Sequence, residues 1–311
     1  MTTPRSSTPG LSWRLGIGAA VALVVAGCLA TAPGGGADGV PAGDAVTVVA
    51  TTTVFADIVR NVGGDRVSVI SIVPAGAGPE DYEPRPDDAR KLAGADLIVS
   101  NGVGLDDFLD KLIDAAGGGT VPRLVLGEGI PSITVDGAAN PHFWLDPGLV
   151  VDRYLPAIAA KLTGIDPSGA AVYAANQDAY AARVRAMDTA NKARIATIPA
   201  ADRKLVTFHD AFPYFAAHYG FELVGVIVSN VGQEPSAAQL AALVGTVRDA
   251  GAKAVFAEAQ FNPDLARTLA DEAGVSKVVT TLYNDTVGPP PNDTYLTMMG
   301  WNVDQIVGAL R

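Results

Sequence analysis

Cysteine is almost missing from this chain of 311 residues. Cys28 stands alone, which excludes an internal disulfide and any cysteine-built zinc site. Histidine is scarce as well. His142, His209 and His218 are the only three, so histidine-based metal or acid–base chemistry must draw on them. Positive charge is the poorer sign: 22 Lys and Arg stand against 33 Asp and Glu, a net charge of −11. A chain so acidic is poorly suited to grip nucleic acid or an anionic membrane surface. No H-E-x-x-H and no G-x-S-x-G segment occurs, which removes two common hydrolase signatures. What is abundant is apolar material, 49% of the residues, enough for a large core and against disorder throughout. At about 100–200 residues per domain, the length suggests two.

The first residues read as a targeting segment. Arg5 and Arg14 precede an uncharged apolar run of 12 residues, Leu15–Ala26. Spanning a bilayer takes about 20 apolar residues, so the run fits the hydrophobic part of a signal peptide rather than a membrane helix. It ends in Val25-Ala26-Gly27-Cys28, which resembles the lipobox of bacterial lipoproteins. That resemblance implies cleavage after residue 27, acylation of the Cys28 thiol and export. The competing reading is an uncleaved anchor, weakened by Gly16, Gly18 and Gly27. Residues 28–44, rich in Gly, Ala and Pro, have the composition of a flexible tether.

Beyond residue 44, short β-branched runs alternate with amphipathic segments. Val46–Thr51, Val67–Val73, Asp96–Ser100 and Arg123–Leu126 read as strands. Phe55, Ile58, Val59 and Val62 fall at i, i+3, i+4 and i+7, one face of a helix. Asp146 followed by Pro147 is a helix-start signal, for a helix to about Leu162. Asp166-Pro167-Ser168 repeats it and opens an Ala-rich stretch to residue 198. About 30 helical residues would make a rod of about 45 Å, too long for one α/β layer, and so a rigid bridge. The alternation then resumes, with strands at Lys204–Phe208, Phe221–Val228, Lys253–Ala257 and Ser276–Thr281 and a closing helix from about Asp293. The expected fold is α/β: two parallel-sheet lobes, residues 45–165 and 199–311, joined by one long helix over 166–198, with a cleft between the lobes.

In open α/β sheets, ligands sit outside the carboxyl ends of the strands. Glu80, His142, His209 and Asp285 all fall in such places, two per lobe. Asp81, Glu83, Asp87 and Asp88 crowd around Glu80, and Glu258 also ends a strand, so these compete on chemistry alone. His218 sits in the last turn of its helix, where its charge suits the dipole, and is expected on the surface.

Taken together, several segments resemble the manganese/zinc-binding receptor lipoproteins of bacterial metal ABC transporters, the cluster A-I type. They are Gly76–Pro84, Ala95–Val99, Asn140–Pro147 (NPHFWLDP), His209–Phe215 (HDAFPYF), Glu234-Pro235-Ser236, Phe256-Ala257-Glu258 and Asp293–Met299, in order over about Ala45 to Leu310. The resemblance implies one metal held by a residue from each of four loops: here Glu80, His142, His209 and Asp285. One departure stands out. The family usually has Asp-Pro-His where this chain has Gly78-Pro79-Glu80. Two imidazoles and two carboxylates are hard enough for Mn²⁺ and acceptable to Zn²⁺. The His-rich acidic loop of many zinc-specific members is absent before His142, which tilts the expectation to manganese.

The resemblance further implies a non-enzymatic, monomeric receptor on the outer face of the cytoplasmic membrane. Its partners would be lipid, through acylated Cys28, a permease and that permease's ATPase, with no nucleic acid. The rival readings are a receptor for a metal chelate or organic solute, an adhesin, and an exported metallohydrolase with Glu258 as base.

Overall fold

The computed structural model describes residues 45–115, 120–135, 137–229 and 231–311. The expected signal segment, Cys28 and the tether lie outside the described residues. Among those described, no helix is long and apolar enough to cross a membrane.

The first lobe is built on β1 (Val46–Ala50), β2 (Val67–Ser71), β3 (Leu97–Ser100) and β4 (Arg123–Val125). All pair in parallel, in the order β2-β1-β3-β4. A parallel strand covered on both faces needs apolar side chains on both, which explains the unbroken run VTVVA in β1. Its helices are α1 (Thr53–Gly63), α2 (Pro86–Ala93) and α3 (Phe108–Ala115). The expected stripe on α1 is the buried one: Phe55, Ile58, Val59 and Val62 are all fully covered. A short hairpin, β5 (Thr134–Val135) with β6 (Ala138–Ala139), was not expected. Its signal is the Asp136-Gly137 dipeptide, a common hairpin turn, and Gly137 has φ 84°.

After the hairpin, α4 (Pro147–Leu149) and α5 (Leu155–Ile165) form one helical run joined by a π turn at Val150–Tyr154. Asp146 caps it as expected, accepting from the Gly148 N–H at 2.7 Å. The π turn has a cause in the sequence. Pro156 lacks the N–H that an α-helix would direct to the Asp152 carbonyl, and the backbone absorbs the missing bond by widening one turn.

The bridge is α6 (Ala170–Ile195), 26 residues. It is shorter than expected because residues 167–169 form a 3₁₀ turn and the helix ends at a cap on Ala196. At 1.5 Å per residue it is about 39 Å long. It is not a bare rod. Tyr173, Tyr180, Ala181, Val184 and Ile195 are buried in a hydrophobic core that runs without a break from Val46 in the first lobe to Leu310 in the second. The two lobes therefore share a core, and neither can swing far without opening it.

The second lobe repeats the plan with β7 (Lys204–His209), α7 (Pro213–Tyr219), β8 (Glu222–Val228), α8 (Ala237–Ala250), β9 (Ala254–Glu258), α9 (Asp264–Ala273), β10 (Lys277–Leu282) and α10 (Tyr295–Leu310). Ser236 caps α8 with Gln239, and Thr294 caps α10 with Thr297, each by a reciprocal capping box. The sheet order is β10-β9-β7-β8, all parallel. Counted within each lobe, both sheets run second, first, third, fourth. In each, the chain leaves the first strand to one side and later returns on the other. The carboxyl ends of the first and third strands then frame a crevice where ligands bind in such sheets. In the second lobe those ends are His209 and Glu258.

Candidate metal centre

The two crevices face each other, and the structure brings the four expected side chains together there. Glu80 comes from the loop after β2, His142 from the loop between β6 and α4, His209 from the last position of β7, and Asp285 from the loop after β10. One potential ligand atom from each lies within 4.8 Å of the others. His142 Nε2 is 3.4 Å from Asp285 Oδ1, while His209 Nε2 is 3.9 Å from Asp285 Oδ2 and 3.9 Å from Glu80 Oε2. His142, His209 and Asp285 are essentially inaccessible. The Glu80 side chain, 26% exposed, forms the open rim. Outside it lies a cleft of about 450 Å³.

Each inner group is held from behind. The Asn140 carbonyl oxygen Oδ1 lies 3.1 Å from His142 Nδ1, and Asn140 is itself fixed by donating to the Asp210 backbone carbonyl at 2.7 Å. With Nδ1–H turned to that oxygen, Nε2 faces the centre with its lone pair. Gln260 donates to Asp285 Oδ2 at 2.9 Å. Asn284 differs, since its Nδ2 lies 3.2 Å from His209 Nε2, on the side that faces the centre. Behind His209, Nδ1 is 3.0 Å from Glu258 Oε1, an ion-pair distance off the N–H direction that a full hydrogen bond requires. Asn140, Asn284 and Gln260 are neighbours of the candidate ligands that sequence reasoning missed. Only Asn140 had a signal, its place in NPHFW.

The electrostatics follow from burial and crowding. For His209, burial opposes the charged ring. Glu258, Asp285 and Glu80 outweigh it and push the ring up to about 10. For Asp285, burial acts against the carboxylate, but His142, His209 and Gln260 prevail and hold it below its ordinary value. Glu80 is raised by burial in spite of the two imidazoles. His142 Nε2 and Asp285 Oδ1 are buried with no hydrogen-bond partner among the described residues. Buried polar atoms are rarely left so, and two of them 3.4 Å apart have the chemistry to share a cation.

Three of the five competing acidic residues have other tasks. Asp88 is buried in the first turn of α2, where it accepts from Tyr82 Oη at 2.8 Å and pairs with Lys91. Asp87 pairs with Arg90. Glu258 lies behind His209, away from the centre. His218 overturns the surface expectation. It is half-buried, with Nδ1 2.7 Å from Asp146 Oδ1 and Nε2 2.8 Å from Asp188 Oδ1. A residue of the second lobe thus clasps the helix cap that follows the His142 loop and the bridging helix. The surface reading treated α7 alone and could not see the two elements packed on it.

A family model described as zinc-uptake complex component A, periplasmic (ZnuA) matches residues 48–309. The manganese-binding lipoprotein MntA of Halalkalibacterium halodurans is 32% identical over 293 residues, spanning 93% of this chain and 95% of its own. The iron-binding protein YfeA of Yersinia pestis is 34% identical over 268 residues, spanning 83% of this chain and 84% of its own. Among solved structures, the periplasmic zinc binding protein TroA from Treponema pallidum superimposes with a TM-score of 0.78 at 26% identity, covering 86% of this chain and 99% of that one. The expected resemblance and two-lobed fold hold, and iron joins manganese and zinc among the metals that relatives are named for. This chain belongs to the zinc-uptake complex component A family of periplasmic metal-binding proteins.

Proposed function

We propose that the chain is the extracytoplasmic receptor of a metal uptake system, capturing one divalent cation, Mn²⁺ or Zn²⁺, through Glu80, His142, His209 and Asp285. The observation that carries this is the convergence of four donor atoms, two per lobe, within 4.8 Å of one another. Ligand atoms around a tetrahedral zinc at bonds of about 2.0–2.2 Å stand about 3.4 Å apart, so the 3.4 and 3.9 Å spacings need little contraction, and the set as a whole, within 4.8 Å, closes by side-chain adjustment. Two carboxylates neutralise the ion and two imidazoles give directional bonds. A chelating organic molecule does not fit between atoms so close, which favours the bare ion.

Four protein ligands fill a tetrahedral shell, whereas catalytic zinc keeps a position open for water. Glu258, the residue a metallohydrolase would use as base, is screened from the centre by the His209 ring. Both points support a carrier rather than an enzyme. In this reading the cation is cargo, passed to a membrane permease driven by a cytoplasmic ATPase. A monomer tethered by lipid on Cys28 suits that hand-over. Iron, the metal of one relative's name, is a third candidate for the same donor set.

Calorimetric titration of the metal-stripped chain tests the proposal. One tight site per chain for Mn²⁺ or Zn²⁺ is expected, and absence of binding for both overturns it. Elemental analysis of protein purified without added metal, followed by competition between the two ions, assigns the preference.

A further inference from the structure

Glu258 is an expensive residue to keep. It ends β9 with its side chain fully buried, and neither carboxylate oxygen has a hydrogen-bond partner among the described residues. No lysine or arginine there forms an ion pair with it; its one charged contact is His209 Nδ1 at 3.0 Å. A carboxylate isolated in a core is strongly disfavoured unless something compensates it. The compensation is built by sheet register. β9 lies directly beside β7, with Thr207 opposite Phe256, so His209 and Glu258 emerge side by side two residues further along.

We infer that Glu258 is a positioning residue of the metal centre, holding the His209 ring in the Nδ1–H tautomer so that Nε2 presents its lone pair to the cation. The inference rests on the metal-receptor reading above and adds to it a residue that does not touch the metal. The Nδ1 contact is at bonding distance but off line, which leaves a small ring rotation to be completed as the cation seats. Phe261, edge-on to the ring at 5.2 Å between centroids, and His142, at 5.3 Å, limit that rotation.

The two imidazoles are then unequal. His142 is oriented by a neutral amide, Asn140, and His209 by a carboxylate. An imidazole whose N–H meets a carboxylate is the more basic ligand, because negative charge is shared into the ring. Glu258 also brings a third negative charge to the neighbourhood of the cation. Glu80 and Asp285 bind directly, and Glu258 acts through His209.

Three histidines in the whole chain make the tautomer directly readable. Long-range nitrogen–proton NMR of the full chain, labelled with ¹⁵N-histidine and loaded with Zn²⁺, is expected to show His209 protonated at Nδ1 and bound at Nε2. Glu258→Gln, which keeps an acceptor oxygen, should retain that tautomer with a loss of Zn²⁺ and Mn²⁺ affinity below about tenfold. Glu258→Ala should lose about 10–100-fold, and rescue by Glu258→Gln separates this loss from the stability that any truncation in the core costs. A loaded parent chain carrying the proton at His209 Nε2 overturns the inference, as does Glu258→Ala binding both ions like the parent. The tautomer measurement needs no variant, so a poorly folding substitution does not remove the test. If the parent chain takes up neither ion, the receptor reading fails, and the inference with it. If it binds and Glu258→Ala binds equally well, the inference alone fails.

Discussion

Tyr295, the first residue of α10, donates its hydroxyl to the backbone carbonyl of Trp144 at 2.8 Å, joining the second lobe to the loop that carries His142. Trp144 in turn donates its indole N–H to the Asn284 carbonyl at 2.8 Å, next to Asp285. The Tyr295 backbone N–H meets Asp57 of α1 at 2.9 Å. The His142 and Asp285 loops are therefore fastened to each other by protein alone, across the lobes. Preorganisation of that pair means the cation does not have to pull the lobes together.

Tyr295→Phe deletes one of these fastenings and leaves the buried Trp144 carbonyl without its donor. The expected cost is about 1–3 kcal/mol of folding stability, read from the denaturation midpoint of the metal-free chain. Metal affinity should weaken with it, because His142 and Asp285 lose part of their fixed spacing. A variant as stable as the parent would mean that the carbonyl finds another donor.

The pH dependence of binding follows from His209. In the metal-free chain, burial disfavours the charged ring, but Glu258, Asp285 and Glu80 prevail and lift it to about 10. The cation needs Nε2 without its proton, so binding expels one. Affinity should rise with pH between about 6 and 9, by up to about tenfold per unit while the ring would otherwise be charged. The sign for stability is the opposite. The metal-free fold draws on the charged ring fully below the ordinary value of 6.5 and loses that contribution as pH rises through about 10. Titration in two buffers of different ionisation enthalpy counts the released proton. A binding constant flat in pH would show that His209 is already neutral.

A second pH effect belongs to His218, away from the metal. Both ring nitrogens lie within 2.8 Å of carboxylate oxygens, Asp146 and Asp188, and carboxylates only accept, so the doubly bonded ring is the imidazolium. Burial works against that charge, yet the two carboxylates raise the ring above its ordinary value. Lys192 also pairs with Asp188, and Tyr219 stacks edge-on against the ring. A raised histidine stabilises fully below the unfolded value and ceases to do so as pH climbs through the folded one. His218→Gln should remove this part of the pH dependence and cost about 2 kcal/mol below pH 6, seen as parallel melting curves at acidic and alkaline pH. Unchanged pH dependence in the variant would place the effect elsewhere.

The sheets were legible because their signals are local; the four candidate positions needed the family resemblance as well, since chemistry alone left Glu80 among several acidic neighbours. β-branched runs mark parallel strands, one-sided stripes mark helices, and chemistry-bearing residues just after strands mark the crevice. The partners of those residues were not legible. Glu258 meets His209 through the pairing of β7 with β9, which leaves α7, β8 and α8 between them in sequence. Gln260 meets Asp285 from a different loop, and His218 meets two elements that its own helix gives no hint of. Such contacts are set by strand order and by the packing of lobe on lobe, and no periodicity along the chain encodes them. The π turn at Val150–Tyr154 was hidden for another reason. Pro156 near a helix start reads as permitted, and only the continuity of the helix before it makes the missing N–H matter.

Glu80 is the point where this chain leaves its family's usual Asp-Pro-His, and its substitution probes metal choice. With Glu80 the proposed donor set has two nitrogens and two carboxylates, and oxygen-rich sets suit the harder Mn²⁺. Glu80→His makes three imidazoles and one carboxylate, a tetrahedral zinc set. It also removes a negative charge beside His209, whose raised value owes part of its rise to Glu80. The ring then gives up its proton more easily, which helps both ions alike. The difference between them should come from the donors: Mn²⁺ affinity falling about tenfold or more, and Zn²⁺ affinity held or improved. Glu80 is the most exposed of the four, so the exchange disturbs little packing, and the metal-free melting temperature should move little. Competition titrations with the two ions on parent and variant read the ratio directly. If Glu80→His leaves that ratio unchanged, Glu80 is not bonded to the cation, and the centre is completed by some other donor from the cleft.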